Sequence, residues 1–285
     1  MQGGSAVKTC AVINDLSGYG KCSLGAALPI LAAMRVEAHP LLTAYFTNQT
    51  GYDSFQFADL TGFMDAVCTE WQKLGASFDG ILTGFVAGQK QFDAIEHFLD
   101  LFKKKQTVLL VDPVMGDGGE MYATYDRAMC DRVAQLCRRA DVITPNETEL
   151  RLLTGETDIE KGARRMLENG VSFVAVTGIK QNGKMLTGAF SAQDSAYFET
   201  RRVRTLGGHD SFSGTGDIFA AVLLGAMLGG TPFLDAVKQA CGFVETALSV
   251  SSPTDRNDGI DFEKCLHLLW EAEKYGSKTS ADQKV

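Results

Sequence analysis

The chain has 285 residues, 45% of them hydrophobic, enough apolar material for a large core at a length common among single α/β domains. Its net charge is −8 and no basic cluster exceeds Lys103-Lys104-Lys105, which excludes nucleic acid and anionic membranes as partners. No apolar run is long enough to span a bilayer.

The seven cysteines are scattered, odd in number and without a Cys-x-x-Cys. That usage fits reduced thiols in a cytoplasm, not a disulfide framework or a zinc site. No apolar run of signal-peptide length opens the chain, so a cytoplasmic protein is the expectation.

Residues 1–6 are expected to be a loose end, and 8–13 a buried strand. A polar, glycine-rich turn, Asn14-Asp15-Leu16-Ser17-Gly18-Tyr19-Gly20, then precedes a helix over 23–34. Ligands of open α/β sheets bind at the carboxyl ends of strands, so Asn14 and Asp15 are candidates to touch a substrate. The plainer reading makes them turn formers. A second extended segment, 36–43, runs into Tyr45-Phe46-Thr47-Asn48-Gln49-Thr50-Gly51-Tyr52. Rings, amides and hydroxyls so mixed suit a flat heteroaromatic ligand, or ordinary packing.

A helix is expected over 63–74, a strand over 79–83, a helix over 89–104 and a strand over 107–111. The last ends at Asp112-Pro113-Val114-Met115-Gly116-Asp117-Gly118-Gly119. A carboxylate at a strand end before a glycine-rich loop is well placed to manage a metal. A helix over 125–138 and a strand over 141–144 follow, and Pro145 starts a helix at Asn146-Glu147-Thr148-Glu149. Asn146 and Glu149, three apart on one helical face, match a pair holding a hydrated magnesium ion. They match an N-terminal capping pair equally well.

A helix over 157–169 leads to a strand over 172–177 that ends at Thr177-Gly178. Residues 185–190 and 196–204 are expected to pair antiparallel. The stretch Ser211-Phe212-Ser213-Gly214-Thr215-Gly216-Asp217 then opens an almost wholly apolar helix through Leu228. A helix apolar all round is buried. Its first amides lack intrahelical partners and attract an anion. Gly214 and Gly216 leave the backbone open to a large one, and Asp217 in the first turn can be a cap or a base. A phosphate cradle with a base beside it is the equipment of a phosphotransferase. This is not a P-loop, because Gly-x-x-x-x-Gly-Lys-Ser/Thr is absent and Gly18-Tyr19-Gly20-Lys21-Cys22-Ser23 lacks its spacing. Helices over 231–251 and 261–272 and a polar, disordered tail over 273–285 complete the chain.

Strands alternate with helices, and no repeat, low-complexity block or linker intervenes. The fold class expected is α/β, a three-layer α/β/α sandwich with a mostly parallel central sheet, as one domain over 1–285 with its core at about 8–271.

Four motifs in order resemble the ribokinase-like superfamily, in its vitamin kinase branch, and within it the pyridoxal kinases. Gly214-Thr215-Gly216-Asp217 is similar to the anion-hole signature with its catalytic Asp. Thr144-Pro145-Asn146 with Glu149 is similar to the Asn-x-x-Glu metal and phosphate motif. Asp112-Pro113-Val114-Met115-Gly116-Asp117 is similar to an Asp-Pro-Val-hydrophobic-Gly-Asp loop, and Thr47-Asn48-Gln49-Thr50-Gly51-Tyr52 to a Ser-Asn-His-Thr-Gly-Tyr segment. The likeness spans roughly residues 8–250. Two departures stand out. Asn14-Asp15 replaces the Ser-His of those kinases, and 14–20 is closer to the Ser-Asp-x-Ser-Gly-Gly turn of hydroxymethylpyrimidine kinases. Gln49 stands where His is common. Against the pyrimidine reading, those enzymes usually carry Gly-Thr-Gly-Cys where this chain has Asp217, and lack the 115–118 loop.

The resemblance implies transfer of a phosphoryl group from ATP to the 5′-hydroxymethyl group of a B6 vitamer. It makes Asp217 the base and Gly214, Thr215 and Gly216 the anion hole. Asp112 and Glu149 would hold Mg²⁺ through waters. Asp112, Asp117, Thr144, Asn146, Glu149, Thr177 and Gly178 would form the nucleotide side. Asn14, Asp15, Tyr19, Gln49 and Thr50 would meet the vitamer. A monovalent cation such as K⁺ and a homodimer are further implications. The alternatives are a hydroxymethylpyrimidine or dual-specificity vitamin kinase, and a non-catalytic ligand-binding member of the fold.

Overall fold

Extended runs rich in Val, Ile and Leu lie side by side in the computed structural model, which describes residues 6–122, 125–200, 212–252 and 255–270. β1 (Lys8–Ser17) leads through α1 (Ser23–Ala33) to β2 (Val36–Phe46), the short β3 (Phe57–Asp59) and α2 (Thr61–Lys73). β4 (Gly80–Thr83), α3 (Gln89–Phe102) and β5 (Val108–Val111) follow, then a small hairpin of β6 (Gly116–Asp117) and β7 (Glu120–Met121). Next come α4 (Arg127–Cys137), β8 (Val142–Ile143), α5 (Glu147–Thr154), α6 (Ile159–Glu168) and β9 (Phe173–Gln181). β10 (Lys184–Ser191) and β11 (Ser195–Thr200) precede α7 (Thr215–Leu228) and α8 (Phe233–Val250), with 3-10 turns at Arg256–Asp258 and Phe262–Cys265.

The main sheet has nine strands in the order β11-β10-β9-β8-β5-β4-β1-β2-β3. From β9 to β2 every neighbouring pair is parallel, while β10 and β11 at one edge and β3 at the other are antiparallel. Side chains alternate between two cores, as the strand period requires. Cys10 and Val12 face α1, α7 and α8, whereas Ala11 and Ile13 face α2 to α6. The expected three-layer α/β/α sandwich is the fold. α7 is buried on every side, from Ile218 through Ala226, because the sheet, α1 and α8 enclose it. Among the described residues no helix is long and apolar enough to cross a membrane. All seven cysteines are buried free thiols.

Several strands outrun their sequence expectation. β1 continues through Asn14-Asp15-Leu16-Ser17, because β2 keeps pairing with it across a bulge: Asn14 pairs with Leu42 and Leu16 with Tyr45. Thr177-Gly178 does not end β9. It forms a second bulge, where pairing passes from Val176 with Gly188 to Ile179 with Leu186, and Gly178 takes φ +71°. Asn146 is the N-cap of α5, not its first helical residue. β3, β6 and β7 are too short to carry a periodic signal. The end of the expected 196–204 strand, residues 1–5, 271–272 of the last helix, and the 273–285 tail lie outside the described residues.

Candidate active site

Strand order reverses at β1. β2 lies on one side of it and β4 on the other, so their carboxyl ends flank the crevice where α/β sheets take ligands. The N-terminus of α7 opens into this crevice. Gly214 has φ +82° and a Cβ there would lie 1.9 Å from the Lys21 carbonyl oxygen, so only glycine fits. Gly216 is exposed, and Asp112 Oδ2 lies 3.7 Å from where its Cβ would be. Among the described residues, the Thr215 and Gly216 amides meet no acceptor, while Ser213 N–H donates to Arg256 O at 3.1 Å. Such amides, at the positive end of a buried helix, bind anions.

Asp217 sits half-buried in the first turn. Asn14 Nδ2 donates to its Oδ1 at 3.1 Å, and the Ser23 backbone amide near the same carboxylate favours its charged form. Burial still raises its pKa. Asn14 is itself fixed, because its Oδ1 accepts from Phe85 N at 2.8 Å and Asp15 N at 3.0 Å. Its amide therefore orients the acid. Asp15 also turns inward, accepting from Ser23 Oγ at 2.6 Å and Ser17 Oγ at 3.3 Å. Burial pushes its pKa up to about 6, against the pull of those hydroxyls. Cys22 beside them is pushed up to about 12 by burial and by the charges of Asp217 and Asp15. It stays a protonated, unreactive thiol at neutral pH.

On the other flank Asp112 ends β5 and accepts from Thr144 Oγ1 at 2.9 Å. Its pKa is raised well above the usual range by burial, then by Glu149 and Asp217. Glu149 and Asn146 form a capping box: Glu149 N–H donates to Asn146 Oδ1 at 3.0 Å and Asn146 N–H to Glu149 Oε2 at 2.9 Å. Glu149 Oε1 accepts from Met115 N at 3.0 Å, and Asn146 Nδ2 donates to Gly116 O at 2.8 Å. The pair thus straps the 115–119 loop onto α5, with help from Thr148 Oγ1, which accepts from Gly119 N at 2.8 Å. Burial lifts Glu149 to about 7 despite those amides. Asp117 is exposed on the hairpin and caps Gly118 N–H at 2.7 Å. Thr177, half-buried, bridges to Asn146, and Gly178 is exposed beside it.

The third flank is a pair of loops. Gln49 N–H donates to Tyr19 O at 2.8 Å, and Gln49 Oε1 accepts from Gly51 N at 2.7 Å. Tyr19 is exposed and tilts against Tyr52 at 5.9 Å, and Thr50 is exposed. The structure thus brings most of the expected residues to one crevice, but Asn14, Asp15, Asn146 and Glu149 hold the crevice together. Ser23 and the 255–261 segment were not anticipated. The 255–261 segment reaches residues some 40 to 240 positions away, and no local pattern signals that.

The acidic flank fits a divalent cation. Glu149 and Asp217 both raise the proton affinity of Asp112, the imbalance that a cation before Asp112 would relieve. Among the described residues no three metal-binding side chains cluster tightly enough to cage a metal. Magnesium needs no such cage, since it takes one or two carboxylates, substrate phosphates and waters.

Residues 25–260 match the profile of the phosphomethylpyrimidine kinase family. A pyridoxine/pyridoxal/pyridoxamine kinase of Bordetella avium is 27% identical over 252 residues, covering 83% of each chain. The crystal structure of pyridoxal kinase from Lactobacillus plantarum shares 28% identity and a TM-score of 0.84, covering 95% of this chain and 99% of that one. A Bacteroides thetaiotaomicron protein provisionally named a phosphomethylpyrimidine kinase, in a crystal form with pyridoxal, shares 32% identity and a TM-score of 0.83, covering 93% of this chain and 96% of that one.

The raised Asp15 pKa has a stability consequence. Its folded value of about 6 lies above the ordinary 3.8, so its contribution to stability is full below about pH 4 and lost as pH rises through 6. Asp15→Asn should therefore stabilise the fold at pH 8, by up to about 3 kcal/mol, and change it little at pH 4. Chemical denaturation at the two pH values checks this, and equal effects at both would contradict it.

Proposed function

The chain belongs to the phosphomethylpyrimidine kinase family, and from that premise we propose that it moves the terminal phosphoryl group of ATP to the 5′-hydroxymethyl group of pyridoxal, pyridoxamine or pyridoxine. The observation that carries this reading is the pairing, at the switch of strand order, of open α7 amides with the Asp217 carboxylate. That pairing also argues against a non-catalytic binding protein, which needs no base there.

The alcohol oxygen attacks the γ-phosphorus, its proton passes to Asp217, and the bond from phosphorus to the ADP oxygen breaks. Asn14 Nδ2 holds the carboxylate in line. Its raised proton affinity brings it nearer the pH of the reaction, as suits a general base. The Thr215 and Gly216 amides donate to the transferring group, whose charge is the main thing to be stabilised. Asp112, with Glu149 behind water, would hold Mg²⁺, which neutralises phosphate charge when bound. Thr144 keeps Asp112 oriented, and Asn146 keeps Glu149. Asp117, Thr177 and Gly178 border the nucleotide side, and Tyr19, Gln49 and Thr50 the vitamer side.

The choice of vitamer over pyrimidine follows the relatives. The Bordetella avium and Lactobacillus plantarum proteins are named for B6 substrates, and the Bacteroides thetaiotaomicron protein forms crystals with pyridoxal. The feature that favoured a pyrimidine was the Asp15 turn, and Asp15 points into the protein, onto Ser17 and Ser23. A monovalent cation such as K⁺ and a homodimer, both implied by the resemblance of its motifs, complete the reading, with a cytoplasmic location, which the seven free thiols support, and action of the chain as one domain.

An assay of ADP release with pyridoxal, pyridoxamine, pyridoxine and hydroxymethylpyrimidine tests the assignment. A B6 vitamer should give the highest kcat/KM; hydroxymethylpyrimidine as the best substrate, or no turnover with any, would overturn it. Asp217→Asn should cut kcat by about 10²–10⁴-fold while ATP still binds. A rate near that of the unaltered protein would remove Asp217 as the base.

A further inference from the structure

The segment after α8 touches both sides of the crevice. Its 3-10 turn, Arg256–Asp258, is closed on itself by a capping box: Asn257 N–H donates to Asp255 Oδ1 at 2.8 Å and Asp255 N–H to Asp258 Oδ2 at 3.3 Å. From this turn, contacts run two ways. Toward the vitamer-side loop, Tyr52 Oη donates to Asp258 Oδ1 at 2.5 Å and Asn257 Nδ2 donates to Gly51 O at 3.0 Å. The approach is so close that a Cβ on Gly51 would lie 2.2 Å from Asn257 Oδ1. Toward the phosphate cradle, Arg256 O accepts the Ser213 N–H at 3.1 Å, the residue before Gly214. Past the turn, Asp261 Oδ1 pairs with Lys21 Nζ at 2.7 Å. The carbonyl of Lys21 is the group against which Gly214 packs.

We propose that residues 255–261 are a positioning strap that ties the loop bearing Thr50 and Tyr52 to the amides of the phosphate cradle, so that the loop closing over the alcohol substrate and the cradle receiving the phosphoryl group keep one geometry. None of these residues touches a reacting atom. They act through Tyr52 on one side and Ser213 on the other. The physical reason for such a device is the reaction itself. In-line transfer requires the alcohol oxygen and the phosphorus to be held together, and small misplacements cost rate. The two loops come from distant parts of the sequence, and one rigid turn bonded to both fixes their separation.

The inference rests on the kinase reading for its purpose, but its first test does not. Deuterium exchange of the full chain, without ligand, compares the unaltered protein with Tyr52→Phe and Asp258→Asn. Amide exchange should rise about 3- to 10-fold over 47–57, and also over 212–218, which Tyr52 does not touch. Exchange in β5 and α3 should stay unchanged. Faster exchange at 47–57 alone would overturn the strap. In steady-state assays with saturating ATP, each variant should raise KM for the vitamer about 3- to 10-fold, and the double variant should be no worse than either single one. Additive losses would overturn the shared contact. If a variant fails to fold, Asn257→Ala severs the second contact and serves the same comparison. Should the exchange behave as expected while the unaltered protein phosphorylates no vitamer, the strap stands and the substrate assignment falls.

Discussion

The Asn14 Nδ2 hydrogen bond to the Asp217 carboxylate and the Ser23 amide near that carboxylate constrain the rest of the molecule. They join the end of β1, the start of α1 and the start of α7 at one charge. A carboxylate moved from water into a partly apolar crevice pays in proton affinity unless donors meet it. The donor here is a side-chain amide that is itself pinned between Phe85 and Asp15. Moving any of the three elements would leave the acid unsupported, so the geometry of the sheet end follows from this point.

Around that charge the protein accumulates cost. Asp15, Asp112, Asp217 and Glu149 all have raised pKa values, with burial as the first cause in each. A fold selected only for stability would not gather four acids at one end of the sheet. The arrangement is consistent with a site meant to meet a positively charged counterpart, and the cradle amides beside it with one meant to meet a negative group. A phosphate ester carrying its metal supplies both. The two cores packed on either face of the sheet, with α7 enclosed from Ile218 through Ala226, supply the stability that the site draws down.

Much of this was legible in the sequence because the signals were local. The apolar runs carried the parallel strands, the all-round apolar character of 218–228 carried its burial, and Gly214-Thr215-Gly216-Asp217 marked the start of α7 with an acid in its first turn. Asn146 and Glu149 were legible only as an ambiguity. Their spacing fits both a metal pair and a capping box, and the coordinates show the capping box. Asn14 and Asp15 misled for a physical reason: polar residues after an apolar run suggest a turn, but here the strand continues and buried partners satisfy them. The Ser213–Arg256 and Tyr52–Asp258 contacts were beyond reach, because hydrogen bonds between residues some 40 and 200 positions apart leave no periodicity.

The most direct measurement is a crystal structure of the protein with a non-hydrolysable ATP analogue, magnesium and pyridoxal. The terminal phosphate should sit within hydrogen-bonding distance of the Thr215 and Gly216 amides, with the hydroxymethyl oxygen between that phosphorus and the Asp217 carboxylate. A terminal phosphate bound elsewhere, or an alcohol out of reach of Asp217, would contradict the role given to the mouth of α7.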